Sequence, residues 1–243
     1  MRRLSAILML NILGIALFAS WYLPENHGLW LRLDEGIFLY FNHYIAGSHA
    51  FAVLLAITNY RAFDLMSLLA MGLLYVHYFL RTPPQRRYQL ISIGIVMLLS
   101  AVVLNQLGHL LPGSRPSPTV FFQNADGVVR VSQVTGIPTK DASMDSFPGD
   151  HGMMLMIFAA YMLRYFGGRA FACGMAILVL FSLPRVMIGA HWFSDIAVGS
   201  LSVVLVGLSW WLVTTASDKA VIWCNRRLPG ERDRSYQGNI NRN

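Results

Sequence analysis

Of the 243 residues, 55% are hydrophobic and only 13% charged, about half the charged fraction of roughly 25% found in soluble domains. Together with a mean hydropathy of +0.49, this excludes an ordinary soluble domain and marks a polytopic membrane protein. The net charge of +7 reads as a topology signal and as a basic tail beside anionic lipid, and not as a nucleic-acid surface.

Crossing a bilayer takes roughly 20 apolar residues. The first such window, about 4–23, follows Arg2 and Arg3. It ends in small residues like a cleavable leader, but its length and its closing Trp21 and Tyr22, an interfacial aromatic anchor, argue for a retained helix. The stretch LDEGIFLYFNHYI (33–45) reads as an amphipathic segment lying at the interface, and FAVLLAI (51–57) is too short to span. Further windows fall at about 63–80, 88–111, 150–166, 169–189 and 193–215. The expected fold class is therefore an all-α membrane protein with six transmembrane helices. It forms a single domain over 1–243, with a long outer loop at 112–149 and a basic tail at 216–243.

Charge sets the orientation. With a cytoplasmic N-terminus, 13 of the 19 Lys and Arg fall inside: Arg2, Arg3, Arg81, Arg86, Arg87, Arg164, Arg169, Lys219, Arg226, Arg227, Arg232, Arg234 and Arg242. Of the acidic residues only Asp218, Glu231 and Asp233 fall with them. Both termini are expected to be cytoplasmic. The two cysteines, Cys173 and Cys224, lie near that side and imply no disulfide framework.

The ionisable residues that remain gather at the outer ends of the helices. The stretch PRVMIGAHWFSD (184–195) supplies Arg185, His191 and Asp195, SFPGDHG (146–152) supplies Gly149 and His151, and GSRPSP (113–118) supplies Arg115. Asp195 stands four residues after His191, a spacing that on a helix lets a carboxylate hold one imidazole nitrogen and leave the other with a free lone pair. Taken alone, such groups also fit a structural interfacial pair and a snorkelling arginine. Three elements converging at one depth and on one side argue instead for a functional set. Arginine forks suit phosphate oxygens, a helix N-terminus opened by glycine suits an anion, and two histidines can divide nucleophile from general acid. That describes phosphoryl transfer without a metal. A metal held by the histidines and carboxylates is the competing reading, and the neighbouring arginines oppose it.

Arg115-Pro116, then Pro148-Gly149-Asp150-His151, then Arg185, His191 and Asp195 resemble the three signature motifs of the type 2 phosphatidic acid phosphatase superfamily, K-x6-R-P, P-S-G-H and S-R-x5-H-x3-D. The resemblance implies His191 as nucleophile, Asp195 as its orienting partner, His151 as general acid, and Arg115 and Arg185 as a phosphate clamp. Four positions depart: the lysine is Gly108, the P-S-G-H motif carries Gly149-Asp150 in place of serine and glycine, and the serine before Arg185 is Pro184. Lys140 is the candidate for the missing cation, with His109 and Arg130 behind it. AITNYRAFDLMSLLAMG, VVLNQLGHLL and IPTKDASMDSFPGDHGMM further resemble the branch of this superfamily that moves the terminal phosphate of undecaprenyl diphosphate onto the 1-phosphate of lipid A. That likeness implies no cofactor, these two lipids as donor and acceptor, and an inner-membrane site facing the periplasm. The alternative is a hydrolase of polyprenyl diphosphate or another lipid phosphate that uses the same residues.

Overall fold

The computed structural model describes residues 2–228 and is all-helical over them. The residues beyond Leu228, among them Arg232, Arg234 and Arg242 of the expected inner charge, lie outside the described residues. In chain order the helices are α1 (Arg2–Tyr22), α2 (Leu29–Gly47), α3 (His49–Thr58), α4 (Arg61–Arg81) and α5 (Arg87–Gly108). The short α6 (Pro118–Phe121) and α7 (Val131–Thr135) follow, then α8 (Asp150–Phe166) and α9 (Gly168–Met187). The last long helix is α10 (Asp195–Val213), α-helical over Leu201–Leu208 and opened into π turns at Asp195–Ser200 and Ser209–Val213; α11 (Ala216–Asn225) ends the described chain.

Local chemistry accounts for most of these boundaries. Ser48 caps α3 by accepting the Phe51 amide. Pro83 and Pro84 part α4 from α5, since proline lacks the N–H a continuing helix needs. Gly167, at φ +89, turns α8 into α9 through a conformation that side chains resist. Those two helices then pack along their length, with Gly174 lying so close to Ala159 that a methyl there would sit 3.0 Å from its Cα. Small residues facing one another are how membrane helices approach closely. α1 packs on α10, and α5 packs on α8 and α11, around Ile93, Val96, Met153, Ile157, Tyr161 and Leu208.

Five of these helices are long and apolar enough to cross a membrane: Arg3–Tyr22, Arg61–Arg81, Pro84–Gly108, Gly168–Met187 and Asp195–Val213. The sixth expected window coincides with α8, which is 17 residues long. At 1.5 Å per residue that reaches about 25 Å, short of a hydrocarbon layer of about 30 Å. α8 is buried at the centre of the bundle, with Met153, Leu155, Ile157, Ala159, Tyr161 and Met162 enclosed.

Neither α2 nor α3 is among the five. α2 turns Asp34, Phe38, Asn42 and Ile45 inward, and α3 packs on α7 of the long loop around Ala52, Leu55, Ala56 and Val131. The N-terminal ends of α4, α8 and α10, the C-terminal ends of α5 and α9, and residues 109–149 therefore close over one end of the bundle.

Candidate active site

At that end α9 runs through Pro184 and Arg185 to Met187, and Gly189 (φ +80) reverses the chain. The Arg185 carbonyl accepts the amides of both Ala190 (3.0 Å) and His191 (3.3 Å), which folds His191 back over the helix end. His191 and Asp195 are thus joined by a turn and do not share a helix face as their spacing suggested, because α10 begins only at Asp195. The Asp195 carboxylate caps that turn, accepting the Trp192 amide at 2.8 Å, and lies 3.5 Å from His191 Nδ1. Nδ1 itself hydrogen-bonds the Ser146 carbonyl at 3.0 Å. A carbonyl only accepts, so Nδ1 carries the hydrogen and Nε2 presents the lone pair.

Asp195 is fully buried, and its other oxygen accepts Arg115 Nε (3.0 Å) and Nη2 (2.7 Å). Arg115 also donates Nη1 to Asp34 (3.1 Å) and Nη2 to Ser194 (2.5 Å), between the rings of Trp21 and Trp192, each 5.1 Å away. Asp34 in turn accepts the amide (2.9 Å) and hydroxyl (2.5 Å) of Ser194. Burial pushes the Asp34 carboxyl above its ordinary range, and Arg115 followed by Ser194 pulls against it. Arg115, expected in the phosphate clamp, is thus occupied by two buried carboxylates behind His191.

Arg185 stands elsewhere. It lines a polar cavity of ≈ 170 Å³ together with Asp64, Lys140, Asp145, Asp150, His151 and His191. Its guanidinium is ion-paired with Asp64 of α4. His151, in the first turn of α8, has Nε2 3.3 Å from Ser67 Oγ and 3.8 Å from Asp64. Lys140 arrives on the long loop, which Asp141 braces by accepting Arg130 (2.7 Å) and the Ser132 amide (2.9 Å). Burial raises the Asp141 carboxyl, but Arg130 and Ser132 outweigh it and hold the group below the usual carboxylate range. Arg130 is therefore taken, and His109 pairs with Asp150 at 3.1 Å. Among the described residues no three His, Cys, Asp or Glu side chains gather as a ligand set for a metal.

Two histidines, one presenting a free Nε2, beside an arginine and a lysine in one polar cavity can pass a phosphoryl group from one oxygen to another. The PAP2 superfamily model matches residues 89–219, the span that holds both histidines, Arg115, Arg185, Lys140 and Asp195. The chain belongs to the PAP2 superfamily. It is 53% identical over 231 residues, 95% of this chain and 96% of the relative, to lipid A 1-diphosphate synthase of Escherichia coli (strain K12). It is also 30% identical over 124 residues, 51% of this chain and 56% of the relative, to the putative undecaprenyl-diphosphatase YbjG of the same organism. No solved structure matches it.

Two of its departures from the superfamily motifs, Gly108 and Gly149, lie at close contacts. A side chain at Gly108 would put its Cβ 2.7 Å from Met153 Cε and 3.2 Å from Pro148 Cγ, so the motif lysine there would have to displace the end of the Met153 side chain and press on Pro148. Lys140 brings a cation into the cavity from the loop instead. Gly149 was expected at the phosphate, but its amide donates to the Asp195 carbonyl at 3.0 Å. A Cβ there would stand 3.0 Å from Ile196 Cγ1, which makes Gly149 the close contact between α8 and α10. Sequence reasoning overlooked Asp34, Asp64, Ser67, Ser146 and Ser194. The usable signal for two of them was a carboxylate inside an apolar helix, as at Asp34 and Asp64, since such a group is costly without a partner.

Proposed function

We propose that the chain moves the terminal phosphate of undecaprenyl diphosphate to the 1-phosphate of lipid A, giving lipid A 1-diphosphate and undecaprenyl phosphate. Two observations carry this reading: the cavity that holds His151, His191, Arg185 and Lys140 together, and the nearly full-length likeness to lipid A 1-diphosphate synthase. His191 Nε2 attacks the terminal phosphorus, the bond from phosphorus to the bridging oxygen breaks, and His151 gives that oxygen a proton. An oxygen of the acceptor phosphate then attacks the phosphohistidine and the nitrogen–phosphorus bond breaks.

Donor and acceptor both bring negative charge, so transfer needs more cation than hydrolysis by neutral water. With Arg115 held by Asp34 and Asp195, Arg185 and Lys140 carry that role at the cavity. Phosphate-clamping by Arg115 requires it to leave two buried partners, and we assign it to bracing Asp195 instead. Charge segregation supports a single domain of six spans, with α8 as the sixth, both termini cytoplasmic and the cavity facing the periplasm.

The likeness to a putative undecaprenyl-diphosphatase favours the second reading, hydrolysis of a polyprenyl diphosphate. Purified protein given undecaprenyl diphosphate labelled in its terminal phosphate, with and without lipid A 1-phosphate, separates the two. Transfer puts label on lipid A as a diphosphate and releases little free phosphate when the acceptor is absent. Lys140→Ala lowers transfer more than residual hydrolysis, and His191→Ala abolishes the labelled protein. Equal release of free phosphate with and without acceptor, and no labelled lipid A, refutes the transferase reading.

A further inference from the structure

α4 is the most outward-facing of the long helices, with Leu65, Leu69, Leu73 and Leu80 all exposed. A carboxylate in such a helix is costly unless it is partnered, and beside a phosphate site it repels the substrate. Asp64 is in both situations, so its charge must serve another group in the cavity. One such group is Arg185, its ion-pair partner. The other is His151, whose Nε2 lies 3.8 Å away.

Ser67, one turn along α4, fixes how His151 is held. Its hydroxyl donates to the Asp64 carbonyl at 2.7 Å and therefore accepts the hydrogen of His151 Nε2 at 3.3 Å. Nε2–H points at α4, while Nδ1 makes no hydrogen bond among the described residues. The groups facing this imidazole are Arg185 from α9, His191 from the turn after it, Lys140 from the long loop and Asp64 from α4, with Asp150 of its own helix and Asp145 of the loop lining the same cavity. Burial first, then Arg185, and after them His191 and Lys140, disfavour a protonated imidazole, and Asp64 alone opposes them, at 3.8 Å.

We propose that Asp64 is a positioning residue for departure of the lipid phosphate: with Ser67 it holds His151 by Nε2–H and offsets the groups that disfavour the protonated ring, so that Nδ1–H is delivered to the leaving oxygen. The proposal rests on the phosphohistidine reading above. In an empty cavity Arg185 shares the Asp64 charge. An incoming phosphate takes that guanidinium, and Asp64 is left with His151. As the His191 Nε2–phosphorus bond forms, the bridging oxygen leaves with its bonding electron pair and takes the Nδ1 proton. His151 remains neutral, with Nε2–H still on Ser67.

Single-turnover labelling of the protein by terminally labelled undecaprenyl diphosphate, followed from mildly acid to alkaline pH, tests this. An opposite charge at this range moves a pKa by about one unit or more. Asp64→Asn therefore shifts the alkaline limb down by about that amount and slows labelling tenfold or more at neutral pH, with recovery at lower pH. Asp64→Glu restores the limb, and Asp64→Ser gives the same reading as the amide if the amide fails to fold. A uniform loss at every pH, with the limb unmoved, overturns the proposal and leaves Asp64 as a tether for Arg185 alone. Absence of labelled protein in the wild type overturns the phosphohistidine reading itself, and this proposal with it.

Discussion

Arg115→Gln separates a brace from a phosphate ligand. In the structure its guanidinium sits 2.7 Å from Asp195 and 3.1 Å from Asp34, both buried. Removing one partner of a buried ion pair typically costs about 3–5 kcal/mol, because the remaining charge is stranded. A chain of this size loses roughly 2–4 °C of midpoint per kcal/mol, so the variant melts about 10 °C lower. Pairing it with Asp34→Asn takes away one of the stranded charges and returns at least about 1 kcal/mol, a coupling of the size contacting residues show. Thermal unfolding of purified protein in detergent, followed by tryptophan fluorescence, reads these shifts, and the same samples give KM and the rate of protein labelling. A brace acting through Asp195 slows labelling of His191 with little change in donor KM. A variant with unchanged melting and a KM raised more than tenfold refutes the brace and returns Arg115 to the phosphate.

Gly108→Lys, which restores the superfamily lysine, forces Met153 and Pro148 apart and costs about 1–3 kcal/mol by overpacking; adding Met153→Ala recovers part of the loss, and equal melting of wild type and Gly108→Lys sinks the steric account. Reporter fusions after Arg87 and Lys219 report cytoplasm and one near Asp126 reports periplasm; a cytoplasmic signal at Asp126 overturns the orientation.

Long-range pairing is what the sequence concealed. The windows at about 63–80, 88–111 and 169–189 fall on α4, α5 and α9 because hydropathy is a local property of consecutive residues. His151, His191, Arg185 and Lys140 were legible because the superfamily motifs, or the nearest spare cation, name them. Asp34 was not: its segment shows an amphipathic pattern, but that pattern does not reveal that residue 34 meets residues 115 and 194. Asp64 likewise reads as one polar residue near a helix start until α9 and α8 bring Arg185 and His151 against it. The relation of His191 to Asp195 was visible as a spacing and misread as a helix face, since Gly189 reverses the chain and the turn that Asp195 caps carries no periodic signature.

The two histidines are anchored by opposite nitrogens, and this divides their labour. His191 gives Nδ1–H to the Ser146 carbonyl, an acceptor that carries no charge and cannot take the proton away, so Nε2 stays a lone pair whenever the ring is neutral. His151 gives Nε2–H to Ser67 beside the Asp64 carboxylate, whose charge offsets part of what burial and Arg185 do against the protonated ring. The nitrogen left without a protein partner among the described residues is therefore Nε2 on His191 and Nδ1 on His151, which in the proposed reaction suits the first to attack and the second to donate. Asp195 adds a negative charge 3.5 Å from His191 Nδ1. In the proposed reaction its value lies in the step that turns His191 cationic, since the bond to phosphorus places positive charge on that ring. Arg115 offsets part of the Asp195 charge.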